Sequence, residues 1–310
     1  MIKVYPDYFK DFRCIADKCL HNCCIGWEID IDPHTDLFYQ SYKGSLSQRF
    51  RTDISRDEDI PHFILKENER CPFLNSKNLC DIITETGEEH LCTICREHPR
   101  FHNELPQRTE SGLGMCCEEA ARLILTHKEP VSLIYEGDSH TDDEIILLRD
   151  KAISLLQDRS LSLRARCEKL LDVFSISISN TQRNEWADIF LSLERLDESW
   201  TDTLRLLKAP LDSEDIRAFD QYINDREYEY EQFAVYLIYR HMANAPDISE
   251  AQLRVAFAVL SVTIIYLISA AAYKDKKVFT SQDLIMLCRM YSSEIEYSDE
   301  NIYLLYDELS

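Results

Sequence analysis

Ten of the chain's twelve cysteines fall between Cys14 and Cys117, and they are the residues whose type and spacing best suit chemistry. The run opens as Cys14-x4-Cys19-x3-Cys23-Cys24, continues with Cys71 and Cys80, then Cys92-x2-Cys95, and ends on the adjacent pair Cys116-Cys117. Only Cys167 and Cys288 lie outside it. Sulfurs spaced this closely, on separate turns, can converge on one centre, which suits a soft metal or an iron–sulfur cluster. The competing reading is a disulfide framework, which needs an oxidising compartment. The segment Met1-Ile2-Lys3-Val4-Tyr5-Pro6-Asp7 has no apolar core of a signal peptide and no small-residue cleavage site, so a cytoplasmic location with free thiols is expected. Adjacent cysteines are also awkward disulfide partners for one another.

The elements that position these cysteines follow from patterning. Trp27-Glu28-Ile29-Asp30-Ile31-Asp32 alternates apolar and acidic residues, the period of a half-buried strand that Pro33 ends. Its three carboxylates share one face, as a solvated strand face or a place for a cation or amine. A helix is expected over 35–42, and a polar surface loop over 45–59. Polar interruptions at Asn68 and at Asn75-Ser76-Lys77-Asn78 read as hairpin turns that present Cys71 and Cys80. Cys92–Arg96 leads to His98-Pro99, where proline closes a helical turn.

Beyond Cys117 the pattern becomes helical. Thr141 and Glu144 read as a capping box. Helices are expected over 118–127, from Ile145 to Leu156, and over 163–174, 184–196, 200–208, 229–243, 250–273, 282–292 and 299–308. Val255–Tyr273 is nineteen residues without a charge. Ser261, Thr263, Ser269 and its alanines mark it as a buried central helix rather than a membrane span. The expected fold is therefore mainly α: an irregular Cys-rich domain with a few short antiparallel strands over residues 1–128, then an α-helical array over 129–310.

Composition narrows function. Asp and Glu outnumber Lys and Arg by 56 to 34, and a net charge of −22 argues against nucleic acid as the partner while suiting a lysine-bearing protein. No membrane partner is expected. There are only six glycines, and none makes the glycine-rich turn on which nucleotide-binding folds seat a phosphate.

The chain resembles the flagellin lysine-N-methylase family, which contains the cysteine-cluster module once described as a zinc- or iron-chelating domain. The residues that carry the resemblance are Phe12-x-Cys14, Cys19, Cys23-Cys24-Ile25-Gly26-Trp27-x-Ile29-x-Ile31-Asp32, Cys71-Pro72-Phe73-Leu74, Leu79-Cys80, Gly87-Glu88, Leu91-Cys92-x-x-Cys95 and Pro99-Arg100. Met115-Cys116-Cys117-Glu118 stands where family members carry a Ser-Cys-Pro-Glu-like element, which leaves Cys117 as the matching thiol. Weaker similarity runs through Asp158–Leu171 and Glu294–Ser298. The resemblance implies methylation of flagellin lysines, S-adenosylmethionine as donor and an iron–sulfur cluster, of the 4Fe-4S type or with zinc in its place. The radical motif Cys-x3-Cys-x2-Cys is absent, because Gly26 follows Cys19 and Cys23 at the third position.

Spacing and resemblance together assign the metal to a subset of Cys14, Cys19, Cys23, Cys24, Cys71, Cys80, Cys95 and Cys117. Cys92 is the alternative to Cys95, and Cys116, Cys167 and Cys288 are dispensable. One cubane needs four thiolates, so the others are structural or hold a second metal. A lysine ammonium must lose its proton before it attacks a methyl group, so a base is required. Asp30 and Glu118 are the candidates for that role, beside Glu28 and Asp32. Arg96 and Arg100 are assigned to thiolate charge or to a donor carboxylate; His21, His98 and His102 are possible ligands or proton carriers. The alternative to a methylase is a non-catalytic metal- or cluster-binding module.

Overall fold

The computed structural model of the chain describes residues 1–57, 59–137, 141–177 and 183–310. The fold is mainly α, with short strands. It divides into two compact units, Arg13–Phe101 with Cys117–Glu119, and Met1–Phe12 with His102–Cys116 and Ala120–Ser310.

In the cysteine-rich unit the strand period over 27–32 keeps its faces: Ile31 is buried and Trp27 and Ile29 half-buried, while Glu28 and Asp30 are exposed. The segment pairs with 61–63 through the Ile31 N–H to Pro61 O (2.7 Å) and the Phe63 N–H to Ile29 O (3.1 Å), without forming a regular strand. Asp32 caps the helix Pro33–Ser41, with Pro33 in the first turn, where a missing N–H costs nothing. The expected loop over 45–59 instead holds the helix Arg49–Thr52 and the strand Ile54–Ser55, which pairs with His62–Phe63. The reason lies in three apolar residues at helical spacing: Leu46, Phe50 and Ile54 are all buried. Phe50 stacks on Tyr39 at 4.2 Å and tilts against Phe73 at 5.2 Å, making the aromatic centre against which Cys71 and Cys92 are buried. Both expected turns form, closed by the isolated bridges Lys66–Arg70 and Leu74–Cys80, with Asn68 and Asn78 in the left-handed region that asparagine tolerates.

A four-stranded sheet, all but Arg100 and Phe101 of it in the helical unit, runs in the order Arg100–Leu105, Arg108–Leu113, Ile2–Pro6, Leu133–Glu136. Ile2–Pro6 is parallel to Arg108–Leu113 and antiparallel to Leu133–Glu136. Arg149, on the helix Glu144–Leu156, meets Glu110 of this sheet in a buried ion pair. That helix is capped by Asp143, which accepts the Ile146 N–H, rather than by the expected Thr141. The helix Ser213–Ile223, absent from the sequence expectation, carries a full capping box between Asp212 and Asp215.

Ile248–Lys276 is the central helix, with fifteen of its side chains buried. Its length and apolar composition alone would let it cross a membrane; here most of its apolar stretch is buried among the other helices. Its buried hydroxyls are satisfied locally: Ser261 and Ser269 donate to the carbonyls four residues back. After the helix Ser281–Tyr291 the backbone widens into a π turn over Ser292–Glu296 before the last helix, Asp299–Leu309.

Candidate functional site

Cys24, Cys71, Cys80, Cys92 and Cys95 form one electrostatically linked group of thiols in the cysteine-rich unit. The Cys71 N–H donates to Cys24 O at 2.9 Å and sets those two segments side by side. Cys80 stands at the N-terminus of the helix Asp81–Thr86, and Cys92 directly precedes Thr93–Glu97, which carries Cys95. The hydrogen bond with Cys95 holds the Cys92 thiol below its ordinary range, and the same bond raises Cys95 well above it. Burial pushes Cys71 up to about 11 and raises Cys80 as well.

Asp32 braces this group. Besides capping its own helix, its carboxylate accepts the Thr93 N–H at 2.9 Å and the Thr93 hydroxyl at 3.0 Å. Burial opposes ionisation, but the hydrogen bonds from Thr93 and Thr35 prevail and hold the carboxyl well below its usual range. The strand face read from sequence therefore has one member that anchors the Cys92–Cys95 turn.

The remaining thiols are linked in pairs, Cys14 with Cys23 and Cys19 with Cys117, and Cys23 joins the first group through Cys24. Cys19 donates to His21 O at 3.1 Å and lies 3.5 Å from Glu118 Oε2. Burial, then the Glu118 charge, pushes its thiol up to about 12. The Cys23 thiol is raised first by its hydrogen bond to Cys24 and then by burial, with the His98 ring acting in the opposite direction. The twelve cysteines are free thiols. Among the described residues no group of three or more His, Cys, Asp or Glu side chains is gathered at ion-holding geometry. The donor chemistry nevertheless fits a soft cation: several half-buried or buried thiols keep their protons because nothing offsets the charge of the thiolate, and a bound metal reverses that preference.

The residues assigned from sequence to catalysis and donor binding are placed as follows. Asp30 is exposed, bridged by its backbone to His62. Glu118 is buried, and its Oε2 accepts the N–H groups of Leu20 (2.7 Å) and His21 (3.1 Å). Arg96 donates to Thr93 and Glu97, and Arg100 to Arg96 O. His102 belongs to the helical unit, where its Nδ1 lies 2.7 Å from Ser111 Oγ.

Sequence reasoning passed over a buried polar network in the helical unit. Glu296, on the π turn, accepts from Tyr236 Oη (2.8 Å) and Ser292 Oγ (2.5 Å) at Oε2, while its Oε1 lies 3.1 Å from His241 Nε2. Tyr236 Oη in turn accepts from the Met115 N–H and from Arg240 Nη1. Despite burial, the Arg240 charge together with His241 and Ser292 holds Glu296 down to about 2. The helical pattern of 282–308 carries no mark of the π turn that rotates Glu296 inward.

Residues 171–310 match the family model of the FliB lysine N-methylase C-terminal domain. Lysine-N-methylases of Salmonella choleraesuis (strain SC-B67) and Salmonella typhimurium (strain LT2) are each 26% identical over 188 residues, covering 56% of this chain and 41% of the relative. The flagellar biosynthetic protein FliU of Salmonella muenchen is 27% identical over 141 residues, covering 41% of this chain and 79% of that protein. The matched stretch is thus less than half the length of the two lysine-N-methylases. No solved structure matches.

Proposed function

We propose, from the match of residues 171–310 to the model of the FliB lysine N-methylase C-terminal domain, that the chain is a cytoplasmic protein-lysine N-methyltransferase acting on flagellin. The family match is the observation that carries this reading. S-adenosylmethionine is the methyl donor in it, and the net charge of −22 favours approach of a lysine-bearing surface. The cysteine-rich unit holds an iron–sulfur cluster through thiols of the Cys24, Cys71, Cys80, Cys92 and Cys95 group, with Cys14, Cys19, Cys23 and Cys117 as the further donors. Such a cluster would supply charge compensation and a cross-link between segments far apart in sequence. Arg96, on the helix that carries Cys95, and Arg100 would suit a donor carboxylate.

The chemistry asks three things of the protein's own residues: to hold the donor's methyl carbon in line with the acceptor nitrogen, to exclude water, and to take a proton from the lysine. Asp30 is exposed, and its carboxylate has no hydrogen-bond partner among the described residues. Glu118 is engaged by two backbone N–H groups, which suits it to anchoring the Cys19–Cys23 loop.

The test is incubation of the anaerobically purified full chain with S-adenosylmethionine and flagellin, read by mass spectrometry. Increments of one methyl mass on flagellin lysines are expected. Unmodified flagellin beside iron-loaded protein would overturn the enzyme reading in favour of a cluster-binding module.

A further inference from the structure

The proposed reaction needs a base, and the helical unit contains a carboxylate–imidazole pair that the cysteine groups do not account for. Resting on the methylase reading, we propose that His241 is the catalytic general base that deprotonates the substrate lysine, with Glu296 as its positioning residue.

Geometry carries the assignment. The Glu296 side chain is fully buried, and Ser292 and Tyr236 occupy its Oε2, so Oε1 is left to face His241 Nε2 at 3.1 Å. A carboxylate there takes the Nε2 proton as a hydrogen bond and so fixes the tautomer, leaving the lone pair on Nδ1. Nδ1 has no hydrogen-bond partner among the described residues, and the His241 side chain retains 13% exposure. One ring nitrogen is thus anchored in the interior while the other is left to the solvent side. The anchor itself is rigid, because Tyr236 is held by both the Met115 N–H and Arg240. The π turn gives a reason for the arrangement: its widened backbone brings Ser292 and Glu296 onto one hydrogen bond, a distortion that recurs at functional sites.

The electrostatics agree. Burial lowers the His241 pKa, Glu296 opposes that, and Arg240 on its own helix and Arg254 on the Ile248–Lys276 helix act with burial. Phe257 closes the remaining side edge-on at 5.6 Å. A ring so placed is neutral near pH 7 and able to accept a proton. In the step itself, Nδ1 takes a proton from the lysine ε-ammonium, and the resulting imidazolium is paired with Glu296. The freed nitrogen lone pair forms the N–CH3 bond as the donor's S–CH3 bond breaks, its electron pair staying on sulfur, so that sulfonium becomes thioether. The methylammonium product is formed, and His241 returns its proton to solvent.

The experiment uses the full chain with flagellin and S-adenosylmethionine, comparing wild type with His241→Asn, His241→Gln and Glu296→Gln. Both histidine variants are expected to lose about 10²–10⁴-fold in kcat with little change in KM, and to regain rate as pH rises or imidazole is added. Glu296→Gln is expected to move the acid limb of the pH profile to lower pH, because the anion that supports imidazolium is gone. Using both histidine variants separates a folding defect from a lost base. In parallel, the His241 ring resonances of wild type are followed by NMR on addition of a flagellin lysine peptide and of its acetyl-lysine counterpart; only the first is expected to shift them. Active wild type with histidine variants of unchanged rate and pH profile overturns the assignment and leaves the methylase reading standing. Inactive wild type whose His241 resonances respond only to the lysine peptide overturns the methylase reading and retains His241 as the lysine contact. Inactive wild type with no response overturns both.

Discussion

The Glu118 carboxylate accepts the Leu20 N–H at 2.7 Å across 98 residues of sequence. The same oxygen takes the His21 N–H, so Glu118, next to Cys117, fixes the backbone between Cys19 and Cys23. Removing it frees two backbone donors and lets that loop spread. Glu118→Ala is therefore expected to weaken metal retention against a chelator by about 10- to 100-fold, the usual cost of losing a group that orients ligands. Glu118→Gln keeps an acceptor oxygen and is expected to retain metal close to wild type. Equal retention by wild type and Glu118→Ala would remove the anchoring role.

The Cys92–Cys95 pair makes a second prediction. The two thiols interact directly, and Cys92 is the sulfur held toward thiolate. Both Cys92→Ser and Cys95→Ser are expected to lose most bound iron, whereas Cys288→Ala and Cys167→Ala keep it, since Cys288 lies in the interior of the helical unit and Cys167 on its Leu163–Val173 helix. Iron and sulfide analysis of the anaerobically purified variants checks this. Full loading of Cys92→Ser would leave Cys95 as the ligand of the two.

Several features of the fold were legible because they rest on local periodicity. The central helix, the alternation over 27–32 and the asparagine turns at 68 and 75–78 follow from spacing that a short window contains. The 45–59 segment was misread because its three apolar residues sit four apart among charges, too sparse to outweigh the polar composition. The Ser213–Ile223 helix went unnoticed although Asp212 and Asp215 mark its start. Glu296 lies in the weakly similar stretch Glu294–Ser298, but its pairing with His241 is not legible there. Their pairing joins residues 55 apart and depends on a π turn, and neither fact leaves a local trace.

Buried charge in the helical unit gives a third prediction. Arg149 and Glu110 are both fully buried, with Arg108 closing on the same carboxylate at 3.2 Å. Deleting Arg149 strands part of that charge away from water. Arg149→Ala is expected to lower unfolding free energy by about 3–5 kcal/mol, read as a shift in the urea midpoint. By contrast Arg205 pairs with Asp202 at the surface, both more than half exposed, and Arg205→Ala is expected to change the midpoint little. Similar shifts for the two variants would contradict the burial argument.

The Glu296 network also fixes how stability depends on pH. A carboxylate held down to about 2 in the folded chain, against 4.5 without its partners, stabilises the native state above the higher value. That contribution is lost as pH falls from about 4.5 toward about 2, because the unfolded chain takes up the proton first. Its size at neutral pH is on the order of 3 kcal/mol. His241 adds in the same direction at milder acidity: its lowered pKa means that below the ordinary value of 6.5 the unfolded chain again binds the proton more readily. Buried Glu229 and Glu294 are raised instead and pull the other way, so the comparison must be made between variants. Urea unfolding of wild type and Glu296→Gln, followed by far-ultraviolet circular dichroism at a series of pH values, isolates the Glu296 contribution. The stability gap is expected to be widest near neutrality and to narrow by about 2 kcal/mol between about pH 4.5 and about pH 3. A gap that stays constant over that range would mean that Glu296 is not held ionised by Arg240 and His241, and that the pair has no charged member to position the imidazole.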